Sequence, residues 1–294
     1  MNLTAFSVRL IARAAPRGLI SALSRNQWRY PKLRRLCAWG ASLLRSRDGV
    51  IQHGAGKGLR FNIGNSHSGF ILGTHKPGVQ NFLAASLNPG MVFYDAGANA
   101  GFYSIIAARL VGHDGHVVCF EPLPANARLI EHNAQLNGFS QVNVRCEALG
   151  NSDRTESFLT SSEPTWGRLA TSGKVPDQKT GEIVVSVRAL DSVLTGDGLP
   201  APDLIKIDVE GAEGELISGA KETLCRNRPL LIIELHGTNN AVAAALEDLN
   251  YHVVVMGSSI GIAEAHWNAT VAAAPRENKM LVDFVANLSN PITV

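Results

Sequence analysis

The sequence has no apolar run long enough to cross a bilayer. Runs such as LLII (230–233) and VVVM (253–256) stop far short of the ~20 residues a spanning helix requires. Its four cysteines, Cys37, Cys119, Cys146 and Cys225, form no CxxC pair. That argues against a zinc site or a disulfide scaffold and predicts reduced, mostly buried thiols in a cytoplasmic setting. Aromatic residues make up only 6%, which leaves few platforms on which single-stranded bases could stack. Charge is too balanced and apolar content, at 45%, too high for a disordered chain. At 294 residues the chain has room for one large α/β domain or two small ones, with a sizeable core.

Acidic residues are missing from one region altogether. Residues 1–47 hold ten Lys and Arg and no Asp or Glu, which leaves 17 basic and 25 acidic residues in the rest, a net of −8. Within this basic leader Leu3, Phe6 and Leu10 recur at helical spacing while Arg9, Arg13 and Arg17 fall on another face. The pattern is an amphipathic basic helix. Three uses fit it: peripheral contact with an anionic membrane surface, a transit peptide, or a solvated helix packed on the acidic domain. A secretory signal is not expected, because arginines interrupt every candidate apolar core.

The expected organisation is a basic N-terminal extension (1–48), a small lead-in hairpin and helix (49–90) and one domain over 91–294. GAGKG (54–58) lacks the Ser or Thr and the spacing of a phosphate loop and is set aside. From Met91 the texture changes. MVFYDAG predicts a buried strand ending in a glycine turn, and residues 102–111 a helix. HVVCFEP (116–122) predicts a second strand. Residues 124–137 predict a helix opened by proline and closed by Asn137-Gly138, and VNVRCEALG a third strand ending near Glu147. Residues 151–179 are polar and turn-rich without a clear period. GEIVVSVRAL reads as an edge or hairpin strand, DLIKIDVEG (203–211) as a buried strand before a helix, and PLLIIELHG (229–237) as another buried strand. A helix over 241–249, a strand in YHVVVMG and a last strand in MLVDFVA (280–286) complete the pattern. Continuous apolar strands alternating with helices predict a doubly wound, mostly parallel sheet covered on both faces.

Asp95-Ala96-Gly97-Ala98-Asn99-Ala100-Gly101 sits at the first strand-to-helix turn, where open α/β sheets bind ligands. Its glycines permit a tight turn and a close backbone approach. The next acidic strand end, Glu121, lies 20 residues beyond Gly101, an offset suited to accepting both ribose hydroxyls. Together they predict a nucleoside-containing cofactor. A carboxylate in the turn repels phosphate and attracts a cationic amine or sulfonium, which favours S-adenosylmethionine over NAD or ATP. The plain structural alternative is a glycine turn with Asp95 capping the helix.

At this point the chain resembles the FkbM family of S-adenosylmethionine-dependent methyltransferases. The resemblance is carried by FYDAGANAGFYSIIAARLVG, HVVCFEPLPANARLIEHNAQLNG, VRALDSV, PDLIKIDVEGAEGELISGA and LLIIELHG, in the family's order and spacing. It implies a Rossmann-like methyltransferase sheet whose last strand inserts antiparallel. It implies that Asp95, Gly97, Asn99 and Gly101 line the methionine moiety, that Glu121, followed by Pro122, holds the ribose, and that Glu147 and Ala148 flank adenine. Family members often carry a Tyr-Glu pair where this chain has Thr74-His75.

A second constellation is acidic. Strand alternation puts Lys206, Asp208 and Glu210 on one side of their strand, and Glu234 and His236 on one side of theirs. If the strands are neighbours, these groups converge beside the cofactor turn, and buried polar groups need partners or a use. In a methyl transfer to a hydroxyl, His236, Glu210 or Asp208 would take the proton, or Asp208, Glu234 and His236 would bind a divalent metal that acidifies it. A Lys206–carboxylate pair and a helix-capping Glu213 are the structural alternative. The other histidines, including His67 and His75, show no ligand spacing and are expected to be ordinary surface or core residues. No Asn- or Asp-Pro-Pro-aromatic run and no Pro-Cys is present, so adenine-amino and cytosine-carbon methylation, and with them nucleic acid, are not expected. The expected acceptor is a hydroxyl of a small molecule, sugar or glycan, with Trp166 and Arg168 in a cover. A nucleotide-cofactor oxidoreductase and a non-catalytic cofactor- or glycan-binding module are the other readings.

Overall fold

The computed structural model describes residues 47–161, 167–172 and 179–289. The helix expected in the leader, and Trp166, lie outside the described residues. The chain starts with strands β1 (Asp48–Val50) and β2 (Arg60–Asn62), which pair antiparallel, followed by helices α1 (Gly69–Leu72) and α2 (Pro77–Ser86). Then come β3 (Val92–Ala96), α3 (Phe102–Val111), β4 (His116–Phe120), α4 (Pro124–Leu136) and β5 (Val142–Arg145). A second sheet interrupts: β6 (Ala148–Gly150), β7 (Arg154–Ser161), β8 (Arg168–Leu169) and β9 (Lys179–Ala189). The rest is α5 (Leu190–Asp197), β10 (Leu204–Ile207), α6 (Glu213–Gly219), α7 (Lys221–Asn227), β11 (Leu230–Glu234), α8 (Asn239–Asp248), β12 (Tyr251–Val255), β13 (Thr270–Pro275) and α9 (Lys279–Ala286).

The main sheet has the order β12-β13-β11-β10-β3-β4-β5. Strands β11, β10, β3, β4 and β5 run parallel, and β13 lies antiparallel between β11 and β12. This is the doubly wound, mostly parallel α/β sheet with a reversed last strand. The apolar runs build it because alternate residues feed opposite cores. Phe93, Cys119, Leu204 and Ile232 pack on one face with α3, while Tyr94, Phe120, Ile205 and Ile233 pack on the other. A fully buried side chain of this size contributes about 1.5–3 kcal/mol, and both faces are filled.

Three expectations are corrected. The reversed strand is Thr270–Pro275, and MLVDFVA is helix α9. Asn278 accepts the Leu281 N–H as its N-cap, and Leu281, Phe284, Val285 and Leu288 pack against the core at helical spacing. The alanines of β13 carry little intrinsic strand preference; pairing on both edges imposes the strand. Residues 151–179 hold an eight-residue strand, β7, whose pairing with β9 sets Phe158 opposite Ile183. The cysteines among the described residues are also less buried than expected: all three are free thiols, Cys119 buried and Cys146 and Cys225 exposed, and Cys37 lies outside the described residues. Among the described residues, no helix is long and apolar enough to cross a membrane.

Parallel strands end on a common edge. That edge carries the turn after β3, Glu121 after β4, Asp208 after β10 and the end of β11 at Glu234.

Candidate active site

One cleft runs along this edge, with about 1120 Å³ of empty space including its open mouth. The turn after β3 forms its floor. A Cβ on Gly97 would lie 1.9 Å from the Asp208 carbonyl oxygen, so only glycine lets the ends of β3 and β10 approach this closely. Gly97 and Asn99 have φ of 78° and 54°. Asn99 donates its N–H to Glu121 (2.8 Å), and its side-chain oxygen accepts from Ser66 (2.6 Å). Glu121 is 5% exposed and also accepts from Leu123 N (3.0 Å) and Asn126 Nδ2 (3.3 Å). Burial raises its pKa to about 7 against the pull of these donors. An ionised carboxylate has about four acceptor positions, of which these donors take three, and Glu121 lines the cleft. Pro122, Leu123, Ala148 and Leu149 form the adjoining apolar wall, closed by Phe158 and Leu169 from the second sheet.

The other end is an acidic corner. β10 pairs with both β3 and β11, which sets Lys206 beside Asp95 and Ile232. Lys206 Nζ lies 3.1 Å from Asp95 and 3.4 Å from Asp208 Oδ2. His236 Nδ1 bonds Glu213 at 2.8 Å. Glu213 is fully buried and accepts from Gly211 N and Thr238 Oγ1 as well. Nε2 of His236 then faces Glu210 Oε2 (3.5 Å), Asp208 Oδ1 (3.8 Å) and Glu234 Oε1 (3.9 Å). Glu234 is paired with Lys76, and Glu210 with Arg168 at 3.7 Å. Burial disfavours the charged imidazole, but Glu213 and the facing carboxylates outweigh it and raise the pKa of His236 to about 9. Burial pushes Asp208 up, but Lys206, His236 and Lys76 hold it at about 2. Burial raises Glu210 to about 7.

Three of the five non-glycine residues with positive φ among those described, Lys76, Asn99 and Glu210, line this cleft. Such conformations cost about 1–3 kcal/mol each and concentrate at functional sites. Lys76 is the starkest, since it precedes Pro77, where the chain favours extended backbone.

The family model for the methyltransferase FkbM domain matches residues 95–254, more than half of the chain. The chain belongs to the FkbM methyltransferase family. It is 32% identical to 2-O-methyltransferase NoeI of Sinorhizobium fredii over 48% of this chain and 61% of that protein. It is 26% identical to hexuronic acid methyltransferase AglP of Haloferax volcanii over 49% and 56%. The chain thus spans about three fifths of the length of these two relatives. It is 30% identical to methyltransferase sdnD of Sordaria araneosa over 56% and 74%. Among solved structures, an FkbM methyltransferase from Methylobacillus flagellatus is similar at 15% identity and a TM-score of 0.44, covering 71% of this chain and 55% of that one.

In this FkbM chain the cleft brings together Gly97, Asn99, Glu121, Pro122, Ala148, Lys206, Asp208, Glu210 and Glu234. Asp95 is not on its wall. It is fully buried, and its carboxylate is spent on Lys206 and Ser104 (2.6 Å), so the expected attraction for a sulfonium is met by an internal ammonium. Glu147 turns away to Arg145 (3.1 Å) and Arg188 (3.5 Å), leaving Ala148 to face the cleft. Gly101 caps α3 and packs against Ile130. His236 stands behind Asp208 and Glu210, its side chain 6% exposed.

Several wall residues escaped the sequence reading. His67, Phe70, His75, Lys76 and Tyr103 come from the lead-in and α3. His75 is not an ordinary core histidine. It contacts the Tyr103 hydroxyl at 2.9 Å, and burial lowers its pKa to about 3, so it faces the cleft neutral. Gln80 fixes this segment by donating to the carbonyls of His75 (2.7 Å) and Gly73 (3.2 Å). The one sequence signal was the departure from the family's usual pair at Thr74-His75.

Proposed function

We propose that the protein transfers a methyl group from S-adenosylmethionine to a hydroxyl of a sugar, glycan or small metabolite. The observation that carries this reading is the juxtaposition in one cleft of a ribose-type acceptor, Glu121, with a proton-accepting corner, Glu210 and Asp208, across the glycine turn. The residues suit the cofactor. Glu121 keeps an acceptor position for a hydroxyl, Gly97 brings bare backbone to the cleft, and the wall of Pro122, Leu123, Ala148 and Leu149 is apolar enough for a base. The names of the relatives, a 2-O-methyltransferase and a hexuronic acid methyltransferase, support a sugar-type acceptor.

When bound, the cofactor supplies a methyl group on a sulfonium whose C–S electron pair leaves with sulfur as a neutral thioether. The chain's task is alignment and proton removal. Glu210 is the base. It lines the cleft, whereas His236 lies behind it with both ring nitrogens among carboxylates. Glu210 takes the hydroxyl proton as the acceptor oxygen forms its bond to the methyl carbon. Asp208 and Glu234, held by Lys206 and Lys76, orient the acceptor. Phe158 and Leu169 cover the cleft and keep water from the methyl donor.

Calorimetry with S-adenosylmethionine, followed by a labelled-methyl assay over a panel of sugars and glycans with mass spectrometry of the products, tests this reading. Binding and the mass gain of a methyl replacing a hydroxyl hydrogen are expected; absence of cofactor binding by folded protein overturns it.

A further inference from the structure

Among the described residues the cleft wall carries two permanent cations, Lys76 and Lys206, and they are not equally committed. Lys206 Nζ lies between Asp95 (3.1 Å) and Asp208 (3.4 Å), with the Tyr103 ring centre 5.3 Å away, and its side chain is 6% exposed. The one ion pair of Lys76 among the described residues is with Glu234, and its side chain is 31% exposed. An ammonium has three donors, so Lys76 can meet a second oxygen from the cleft without leaving Glu234.

The backbone that presents Lys76 is strained. Its φ of 38° and ψ of 71° are left-handed, directly ahead of Pro77, where extended backbone is favoured. Several contacts keep it so. Buried Gln80 donates to the His75 carbonyl (2.7 Å) and accepts from Ala55 N (3.0 Å), and Val79 N donates to the Lys76 carbonyl (3.0 Å). Strain that is over-determined in this way concentrates at ligand clamps. The lead-in also reaches the glycine turn, where Ser66 Oγ donates to Asn99 (2.6 Å), whose own N–H donates to Glu121 (2.8 Å). Contacts therefore run from the ribose-type acceptor across the turn to the segment that carries Lys76.

What Lys76 would meet follows from the chemistry of the donor, and so rests on the methyl-transfer reading. With the base against Pro122 and Ala148 and the ribose at Glu121, the sulfonium crosses the turn to reach a hydroxyl beside Glu210. Two methylenes and an α-carbon tie that sulfonium to a carboxylate. The carboxylate therefore arrives beside Asp208, Glu210 and Glu234, where it is repelled unless a cation meets it. Lys206 is spent on Asp95 and Asp208; Lys76 has donors to spare. We propose that Lys76 binds the α-carboxylate of S-adenosylmethionine while its ammonium stays on Glu234, which ties the amino-acid end of the methyl donor to an acid that orients the acceptor.

The test is calorimetry on the full chain with three ligands. S-adenosylmethionine is compared with S-adenosylhomocysteine, which keeps the carboxylate and lacks the sulfonium, and with decarboxylated S-adenosylmethionine, which keeps the sulfonium and lacks the carboxylate. Thermal melting of the same samples checks folding. Lys76→Met should weaken both carboxylate-bearing ligands by at least about tenfold and leave the decarboxylated one within about threefold. Lys76→Asn should do the same with a residue that tolerates left-handed backbone, and Lys76→Arg, which keeps the charge, should lose less. Equal losses for all three ligands in folded Lys76→Met and Lys76→Asn, or no loss for any, overturn the carboxylate contact and leave Lys76 as a structural partner of Glu234, with the methyl-donor reading intact. Folded wild-type protein that binds none of the three overturns the methyl-donor reading, and this inference with it.

Discussion

The two ends of the cleft are built by different means. At the Gly97–Glu121 end the machinery is backbone: a glycine turn, amide N–H groups closing on one carboxylate, and an apolar wall. At the Asp208–His236 end it is side-chain charge, with acids from two strand ends and α6 balanced by lysines from β10 and the lead-in. A backbone site depends on local sequence and has little to exchange. A charge cluster depends on which strands are neighbours, and its contents can be retuned by one partner at a time. The contrast predicts that substitutions at the first end weaken binding, while those at the second change chemistry and stability.

The largest separation is expected at Glu210. Glu210→Gln should lower turnover by about 10²–10⁴-fold, the usual worth of a positioned base, and leave S-adenosylmethionine affinity within about twofold. Parallel turnover assays and calorimetry check this; a weakened cofactor affinity with normal turnover would dissolve the division of labour. Next comes Asp95, which belongs to neither wall. Asp95→Ala leaves the Lys206 ammonium buried with Asp208 alone and should destabilise the fold by about 3–5 kcal/mol, read as a lowered urea midpoint. Asp95→Asn should lose less. If Asp95→Ala instead melts like wild type and fails to bind cofactor, Asp95 faces the ligand after all.

The same contrast explains what could be read from the sequence. The turn after β3 and the acid after β4 were legible because buried parallel strands leave unbroken apolar runs that end abruptly in glycine or acid. The convergence of Asp208, Glu210, Glu234 and His236 was legible as a conditional, and the β10–β11 pairing meets the condition. What stayed hidden depended on partners distant in the chain. The register that sets Lys206 against Asp95 is a property of two strands 111 residues apart. The strand character of Thr270–Pro275 comes from its neighbours, not its alanines. His75 is held at the cleft by Gln80 and Tyr103, and His67 packs its ring against that of His75.

A smaller loss is expected at the backbone end. Glu121→Gln keeps the shape but exchanges one charged acceptor oxygen for an amide N–H₂ that faces Leu123 N or Asn99 N. Hydrogen bonds to charged groups are worth about 1.5–3 kcal/mol, so S-adenosylmethionine affinity should fall by about 10–150-fold, with turnover at saturation nearly intact. Calorimetry and saturation kinetics on the same variant would expose the opposite split.

The finest test is the pH dependence of that binding. Burial raises the Glu121 pKa to about 7 in the ligand-free protein. For an acid with a raised folded pKa, the fold favours the neutral form. Its contribution to stability is therefore full below the unfolded value near 4.5 and is lost as pH rises toward 7. Ligand binding runs the other way, because a ribose hydroxyl donates best to the ionised carboxylate. The ionised fraction grows from about a tenth at pH 6 to about nine tenths at pH 8, so affinity should rise by about tenfold across that interval and then level off. In Glu121→Gln the dependence should vanish. A wild-type affinity that is flat between pH 6 and 8 would mean that Glu121 keeps its proton, or has none to lose, when the cleft is filled, and the acceptor role would pass to the amides around it.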